Sequence, residues 1–199
     1  MSIDISPTKP KIIGLTGVAK CGKDTFFNAF ESLHPDKKIV RLSIADIIRT
    51  ELEKFVYDNT GIIIWDCSPK EKESIRPLMA WYGDFKRKQT EGQYFLDKLD
   101  QEIYTWYRNT DVIVITDIRF KEFEFDEPDW IKKYNGTLVH IQRMEPNGIF
   151  IKPANELEKK NDPILKQIAN VKITWNTFLH VNWNIIPQAQ EFVKKLELL

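Results

Sequence analysis

Lys11-Ile-Ile-Gly-Leu-Thr-Gly17-Val-Ala-Lys-Cys-Gly22-Lys23-Asp24-Thr25 is the stretch whose reading decides the fold. It begins as a short β-rich run, Lys11 to Thr16, and breaks into a loop matching G-x-x-x-x-G-K, with Asp24 where Ser or Thr is usual. A helix from about Lys23 to Leu33 follows, ended at His34-Pro35-Asp36 because proline restricts its predecessor and cannot continue the ladder. Glycines let backbone amides converge on phosphate oxygens, and the helix N-terminus adds about half a positive charge. Gly17, Val18, Ala19, Lys20, Cys21, Gly22, Lys23, Asp24 and Thr25 are therefore the candidate ATP-binding residues. Lys23 would reach the transferring phosphates, and Thr25 would offer its hydroxyl to an inner one. The bland alternative is an ordinary glycine turn. Asp24 is unusual, because a carboxylate beside a triphosphate is repelled unless a cation lies between them. Mg²⁺, bound directly or through water, is its natural partner; the alternative is a helix cap.

Outward from this loop, Lys38 to Leu42 reads as a strand and Ser43 to Asp58 as a helix, with apolar residues at 44, 47, 48, 52, 55 and 56. Helices are expected at about Lys70–Tyr82 and Gln93–Arg108. Asp111 to Thr116 (DVIVIT) has the near-continuous β-branched pattern of a strand buried on both faces. A helix around Lys121–Tyr134, a strand at Thr137–Ile141, a weaker strand near Val171–Trp175 and a terminal helix near Pro187–Leu196 complete the pattern. Strands alternating with helices predict an α/β fold: three layers around a mostly parallel five-stranded sheet. With 199 residues and no repeat or long Pro/Gly linker, residues 11–199 read as one domain behind a loose arm at 1–10.

The 29 basic and 29 acidic residues cancel, and the pI is near 6.8, so the whole-chain charge predicts no nucleic-acid or membrane partner. Cys21 and Cys67 are too few for a disulfide framework or a protein-built zinc site. The start, MSIDISPTKP, has no signal-like apolar stretch, and Gly61–Trp65 is far below the ~20 residues a membrane span needs. A soluble, cytoplasmic protein is the expectation.

Asp117-Ile118-Arg119 lies directly after DVIVIT. In open α/β sheets ligands bind outside the carboxyl ends of strands, so this segment should face the phosphate loop. Asp117 could organise Mg²⁺ or the acceptor phosphate, and Arg119 could neutralise charge during transfer; a surface Asp–Arg pair is the alternative. Several stretches, in order, resemble the phage-type deoxynucleoside monophosphate kinases. They are GLTGVAKCGKDT, Ala45-Asp-Ile-Ile-Arg49, Lys72-Glu-Ser-Ile-Arg76-Pro-Leu-Met, Gly83-Asp-Phe-Lys-Arg87 and VIVITDIRFKEFEF. The resemblance spans roughly residues 11–176. It departs at Lys121, where the family often has asparagine, and at Pro153–Glu156, which loosely matches a histidine-serine-glutamate pattern.

This resemblance implies a P-loop kinase that phosphorylates a deoxynucleoside monophosphate with ATP and Mg²⁺. Lys23, Asp117 and Arg119 would be catalytic, and Asp24 and Asp117 would face the metal. Arg49, Arg76, Arg87, Tyr94 and Arg119 would bind the acceptor, within a helical region at about 43–108. A lid-like loop at about 143–160 would carry Arg143 to the ATP side. Related kinases are often dimers, which leaves a homodimer open, and a phage-encoded chain would act in the host cytoplasm. Ser43-Ile-Ala-Asp46 also fits a capping box, the favoured reading of Asp46. Tyr82, Phe85, Tyr94 and Phe95 could stack a base, although core packing is the commoner use of such aromatics.

Three rival readings stand beside this one. The nearest is a P-loop kinase with a non-nucleotide acceptor such as phosphomevalonate, since that class also resembles the Lys-Asp loop. A switch or motor ATPase is disfavoured, because no N-K-x-D segment is visible and Asp117 is followed by Ile118 rather than Glu. A non-catalytic nucleotide-binding module is disfavoured by the presence of both Lys23 and Arg119.

Overall fold

The computed structural model describes residues 9–176 together with Pro187, Gln190, Glu191, Val193 and Lys194. Two aliphatic runs form the middle of the sheet: β1 (Lys11–Thr16), buried from Ile12 onward, and β3 (Val112–Ile118), buried at every residue. β2 (Ile39–Leu42) pairs with the outer side of β3, and β4 (Thr137–Met144) and β5 (Val171–Asn176) extend the sheet beyond β1. The order is β2-β3-β1-β4-β5, with every neighbouring pair parallel. A parallel sheet must be covered on both faces, which explains why its strands are apolar runs rather than alternating ones.

On one face α1 (Lys23–Leu33) packs Phe26, Phe27 and Phe30 against Leu15, Ile141 and Trp175. On the other, α4 (Gln93–Trp106), α5 (Glu127–Lys133) and α6 (Glu156–Ile168) bring Leu96, Leu99, Trp130 and Leu165 onto Ile12, Ile113, Ile115 and Leu138. α2 (Ile44–Thr60) and α3 (Pro69–Gln89) share a smaller core of Leu52, Val56, Ile64 and Ile75. Among the described residues, no helix is long and apolar enough to cross a membrane.

All five anticipated strands form. β3 runs two residues further than expected and takes in Asp117, while β4 takes in Arg143. α3 does not end near Tyr82 as expected but runs through Gly83 to Gln89. A Cβ on Gly83 would meet Ile48 Cδ1 at 3.1 Å, so the bare backbone lets α2 approach while the helix continues. The helix expected over 121–134 is confined to Glu127–Lys133, because Asp126 caps it and Pro128 follows in the first turn. α6 occupies part of the segment expected to be a lid-like loop, leaving 145–155 as the connection. Of the anticipated terminal helix, the described positions 187, 190, 191, 193 and 194 are helical. The rest of that helix, and residues 1–8 of the arm, lie outside the described residues.

Candidate active site

The phosphate loop leaves the carboxyl end of β1 with three residues at positive φ: Gly17 at 131°, Lys20 at 64° and Gly22 at 104°. A Cβ on Gly17 would collide with the carbonyl oxygen of Ile141, and one on Gly22 would lie 3.0 Å from the Trp175 indole nitrogen. Both glycines are thus required by close approach as well as by backbone conformation. Lys23, the first residue of α1, folds its ammonium into the loop and donates to the carbonyls of Gly17 (2.6 Å) and Val18 (2.9 Å). Cys21 is buried beneath, and burial foremost pushes its thiol pKa up, which keeps it protonated and unreactive. Lys20 and Asp24 are exposed, Thr25 is half-buried, and Val18 is buried.

Beside the loop, the end of β2 carries a chain of alternating charges. Asp46 bridges two arginines, accepting from Arg41 through Oδ2 at 2.6 Å and from Arg49 through Oδ1. The Arg49 guanidinium lies 5.6 Å from the centre of the Trp65 ring, and Arg41 reaches Asp24 at 3.9 Å. The capping-box reading of Asp46 is therefore corrected. Its carboxylate is held by the arginines, and the hydroxyl of Ser43, the N-cap of α2, donates elsewhere.

That partner is Asp117. Its carboxylate accepts from Ser43 Oγ (2.9 Å), the Ile44 amide (2.9 Å) and the Ala45 amide (2.8 Å). Asp117 was expected to organise Mg²⁺ or the acceptor phosphate; in the structure it is buried and its carboxylate closes the N-terminus of α2.

Arg119 follows β3 and lines a small cavity with Thr16, Gly17 and Val18 on one side and Glu158, Asp162 and Leu165 of α6 on the other. The amides of Arg119 and Phe120 both donate to Glu127 Oε2, the latter at 3.0 Å. Glu127 Oε1 accepts from Arg87 at 2.8 Å. Arg87 was expected on the acceptor side, and here the structure differs. It is 5% exposed and also bonds both oxygens of Asp126, at 3.0 and 3.1 Å. Burial foremost pushes the Glu127 carboxyl up to about 7, against the pull of Arg87. Burial also opposes the charge on Arg87, but Glu127, Asp126 and Glu122 outweigh it and raise its pKa.

Arg76 and Tyr94 bond to carboxylates away from the loop. Arg76 is exposed on α3 and pairs with Glu73 at 3.1 Å. The Tyr94 hydroxyl donates to Glu51 at 2.7 Å, as does that of Tyr82 at 3.0 Å. Burial foremost, then the Glu51 carboxylate, raises the pKa of both phenols. Arg143 lies within β4 opposite Trp175, rather than just beyond the strand. A separate open cleft of about 630 Å³ at the α3–α4 turn is lined by Glu91, Glu124 and Asp129 and by no cation, so it does not suit a phosphate.

Sequence reasoning passed over three residues at the site. Arg41 sits in a strand and carried no motif. Glu127 lies seven or more residues from the amides it serves. Glu158 accepts from the phosphate-loop amide of Ala19 at 3.2 Å and from Ala154 at 2.8 Å. For Glu158 a signal existed: Asn155 three residues before it is a helix-start pattern, and Asn155 Oδ1 does accept the Glu158 amide at 2.8 Å.

No protein-family model matches the chain. No curated protein matches it significantly. Solved structures do resemble it. The Thermus thermophilus protein TT1252 superposes with a TM-score of 0.51 at 12% identity, over 96% of this chain and 98% of that one. An APS kinase from Mycobacterium tuberculosis gives 0.47 at 14% identity, over 96% of this chain and 99% of that one. Dephospho-CoA kinase from Campylobacter jejuni gives 0.45 at 14%, over 94% and 96%. At such identities the likeness speaks for architecture alone. The superposition on TT1252 agrees with what the chain itself shows: an α/β fold around a parallel five-stranded sheet, with a glycine-rich loop between β1 and α1.

Proposed function

We propose that the chain is an ATP-dependent kinase that transfers a phosphoryl group to a deoxynucleoside monophosphate, yielding the diphosphate. The observation that carries this reading is the company the phosphate loop keeps at the carboxyl ends of the strands. Lys23 opens α1 just beyond β1 and its loop, Arg119 follows β3, and Arg41 and Arg49 flank the end of β2. An acceptor phosphate oxygen would attack the γ-phosphorus while the bond to the ADP oxygen breaks. The protein's task is then positioning and positive charge. Lys23 would turn from the loop carbonyls to the β- and γ-phosphates. Arg41 and Arg49 would grip the acceptor phosphate, for which the planar guanidinium fork is suited. Arg119 would stabilise the charge gathering on the group in flight.

The residues present fit Mg²⁺ at one point. Asp24 is 84% exposed at its side chain in the first turn of α1, next to Lys23, and would hold the ion directly or through water. Held there, the ion would supply positive charge that offsets the negative charge of the phosphates. In this reading α2–α4 form the acceptor side, residues 145–155 the lid, and residues from 11 onward work as one kinase domain.

The test is a coupled ADP-release assay with ATP, Mg²⁺ and each deoxynucleoside monophosphate in turn. The expected result is acceptor-dependent ADP formation that Lys23→Ala reduces on the order of 10²-fold or more. A non-nucleotide acceptor is the second reading, favoured by the engagement of Arg87 and Tyr94 with carboxylates of the protein itself. Stimulation by phosphomevalonate and by no nucleotide would decide for it. ADP formation indifferent to every acceptor would sink both.

A further inference from the structure

The segment from Arg119 to Asp126 crosses from β3 to α5 without helix or strand, yet its backbone is closely held. Four of its amides are taken by two carboxylates at the start of α5. Glu127 Oε2 takes those of Arg119 and Phe120, and Asp126 Oδ2 takes those of Glu122 (2.8 Å) and Phe123 (3.3 Å). A loop held in this way takes much of its shape from these carboxylates, with Asn161 accepting the Lys121 amide between them at 2.8 Å. Both are buried, Asp126 at 0% and Glu127 at 1% exposure, and two such charges side by side require a cation.

Arg87 supplies it from the last turn of α3. Its fork reaches both carboxylates, Glu122 stands at 3.7 Å, and the Phe120 ring lies 4.2 Å from the guanidinium carbon. Lysine could not reproduce this, because its single ammonium does not present parallel donors on a plane. The chain of contacts thus runs from Arg87 to Glu127, to the Arg119 backbone, and so to the residue that shares a cavity with Gly17 and Val18.

We propose that Arg87 and Glu127 are positioning residues for phosphoryl transfer, fixing the Arg119–Phe120 turn so that the Arg119 side chain meets the transferring group. The proposal rests on the kinase reading given above. Arg87 itself touches no substrate in it; its charge acts through Glu127. A buried ion pair by itself is weak evidence of a gain in stability, since apolar residues often serve the fold equally well. What a purely apolar cluster could not do is accept two consecutive amides immediately after the strand that delivers Arg119.

The experiment is a double-mutant cycle in the full-length protein, using Glu127→Gln, Arg119→Ala and their combination, with Arg87→Lys as an independent probe. Steady-state rates with ATP, Mg²⁺ and the best acceptor are read beside ATP affinity and circular dichroism. Glu127→Gln and Arg87→Lys are each expected to lower kcat on the order of 10- to 100-fold, the scale of a small misplacement of a reacting group. ATP affinity and the spectrum should remain those of the parent. In the Arg119→Ala background, Glu127→Gln should then change nothing further, because a residue that acts through Arg119 has nothing left to position.

Undiminished kcat in both variants overturns the proposal, and so does a Glu127→Gln effect of equal size with and without Arg119. Should one variant fail to fold, the other enters the cycle. Failure of both to fold would make the cluster a fold element alone, which also overturns the proposal. An Arg119→Ala protein as active as the parent would instead remove the role given to Arg119, so the two failures are distinguishable.

Discussion

Ser43 Oγ donates to Asp117 Oδ2 at 2.9 Å, joining the residue that opens α2 to the penultimate residue of β3, 74 positions away. The same carboxylate takes the first two amides of α2. A helix N-terminus carries about half a positive charge and would otherwise attract an anion. Here that charge is met from within. In the proposed reaction an acceptor phosphate near the end of β2 would therefore have to be gripped by side chains, and Arg41 and Arg49 are cations placed there.

Asp117→Asn should lower stability, since an amide nitrogen cannot accept from donors that now face a full carboxylate. A buried hydrogen bond to a charged group contributes about 2 kcal/mol. In a chain of this size the loss amounts to roughly 4–8 °C in Tm. Thermal unfolding checks this; an unchanged Tm would mean that α2 is held by other means.

Arg41→Ala should raise the acceptor KM by about tenfold or more, the scale of one charge-assisted hydrogen bond. The ATP KM should barely move. Initial-rate kinetics with each substrate varied separately would show it. A selective rise in the ATP KM would place Arg41 on the donor side, by way of its contact with Asp24.

Glu158 accepts the Ala19 amide, which a bound phosphate would need in the proposed reaction. Glu158→Gln removes the charge while keeping the shape, so ATP should bind several-fold more tightly, about 1 kcal/mol on the scale of one hydrogen bond. Titration calorimetry measures it directly. Weaker binding would show that Glu158 assists the nucleotide instead.

Asp100 gives a prediction in pH. Burial alone would raise its pKa, but bonds from Tyr134 (2.7 Å), Lys133 (2.9 Å) and the Trp130 indole (2.6 Å) outweigh it and hold the carboxyl below its ordinary 3.8. A folded-state pKa below the unfolded one stabilises the protein at neutral pH, and that contribution is lost as pH falls through the folded value. Asp100→Asn should thus be less stable than the parent at pH 7, with the difference closing below pH 3.8. Denaturant titrations across that range would reveal a constant gap if the assignment is wrong.

The strand order's ingredients were legible because a buried parallel strand announces itself: Val112 to Ile115 can hardly be anything else, and the glycine loop names its own place after β1. Contacts formed across the fold were less so. Arg87 sits in Lys-Arg-Lys, which reads as solvated surface, and its partners lie 39 and 40 residues on. Pro163 and a polar first half concealed α6, although its cap at Asn155 was written in the sequence. The end of α3 was placed too early, at about Tyr82, because only the structure shows Ile48 pressed against Gly83 as the helix continues.

Gly17 rests its backbone on the Ile141 carbonyl, so the floor of the phosphate cradle is a strand hydrogen-bonded on both sides. A cradle cast against a sheet needs no guest to take its shape. Little chain entropy is left there for an arriving anion to remove. The thermodynamic signature of nucleotide capture would then belong to its surroundings, the α6 end that holds Glu158 and the turn that holds Arg119, and the heat of binding would report how those two yield.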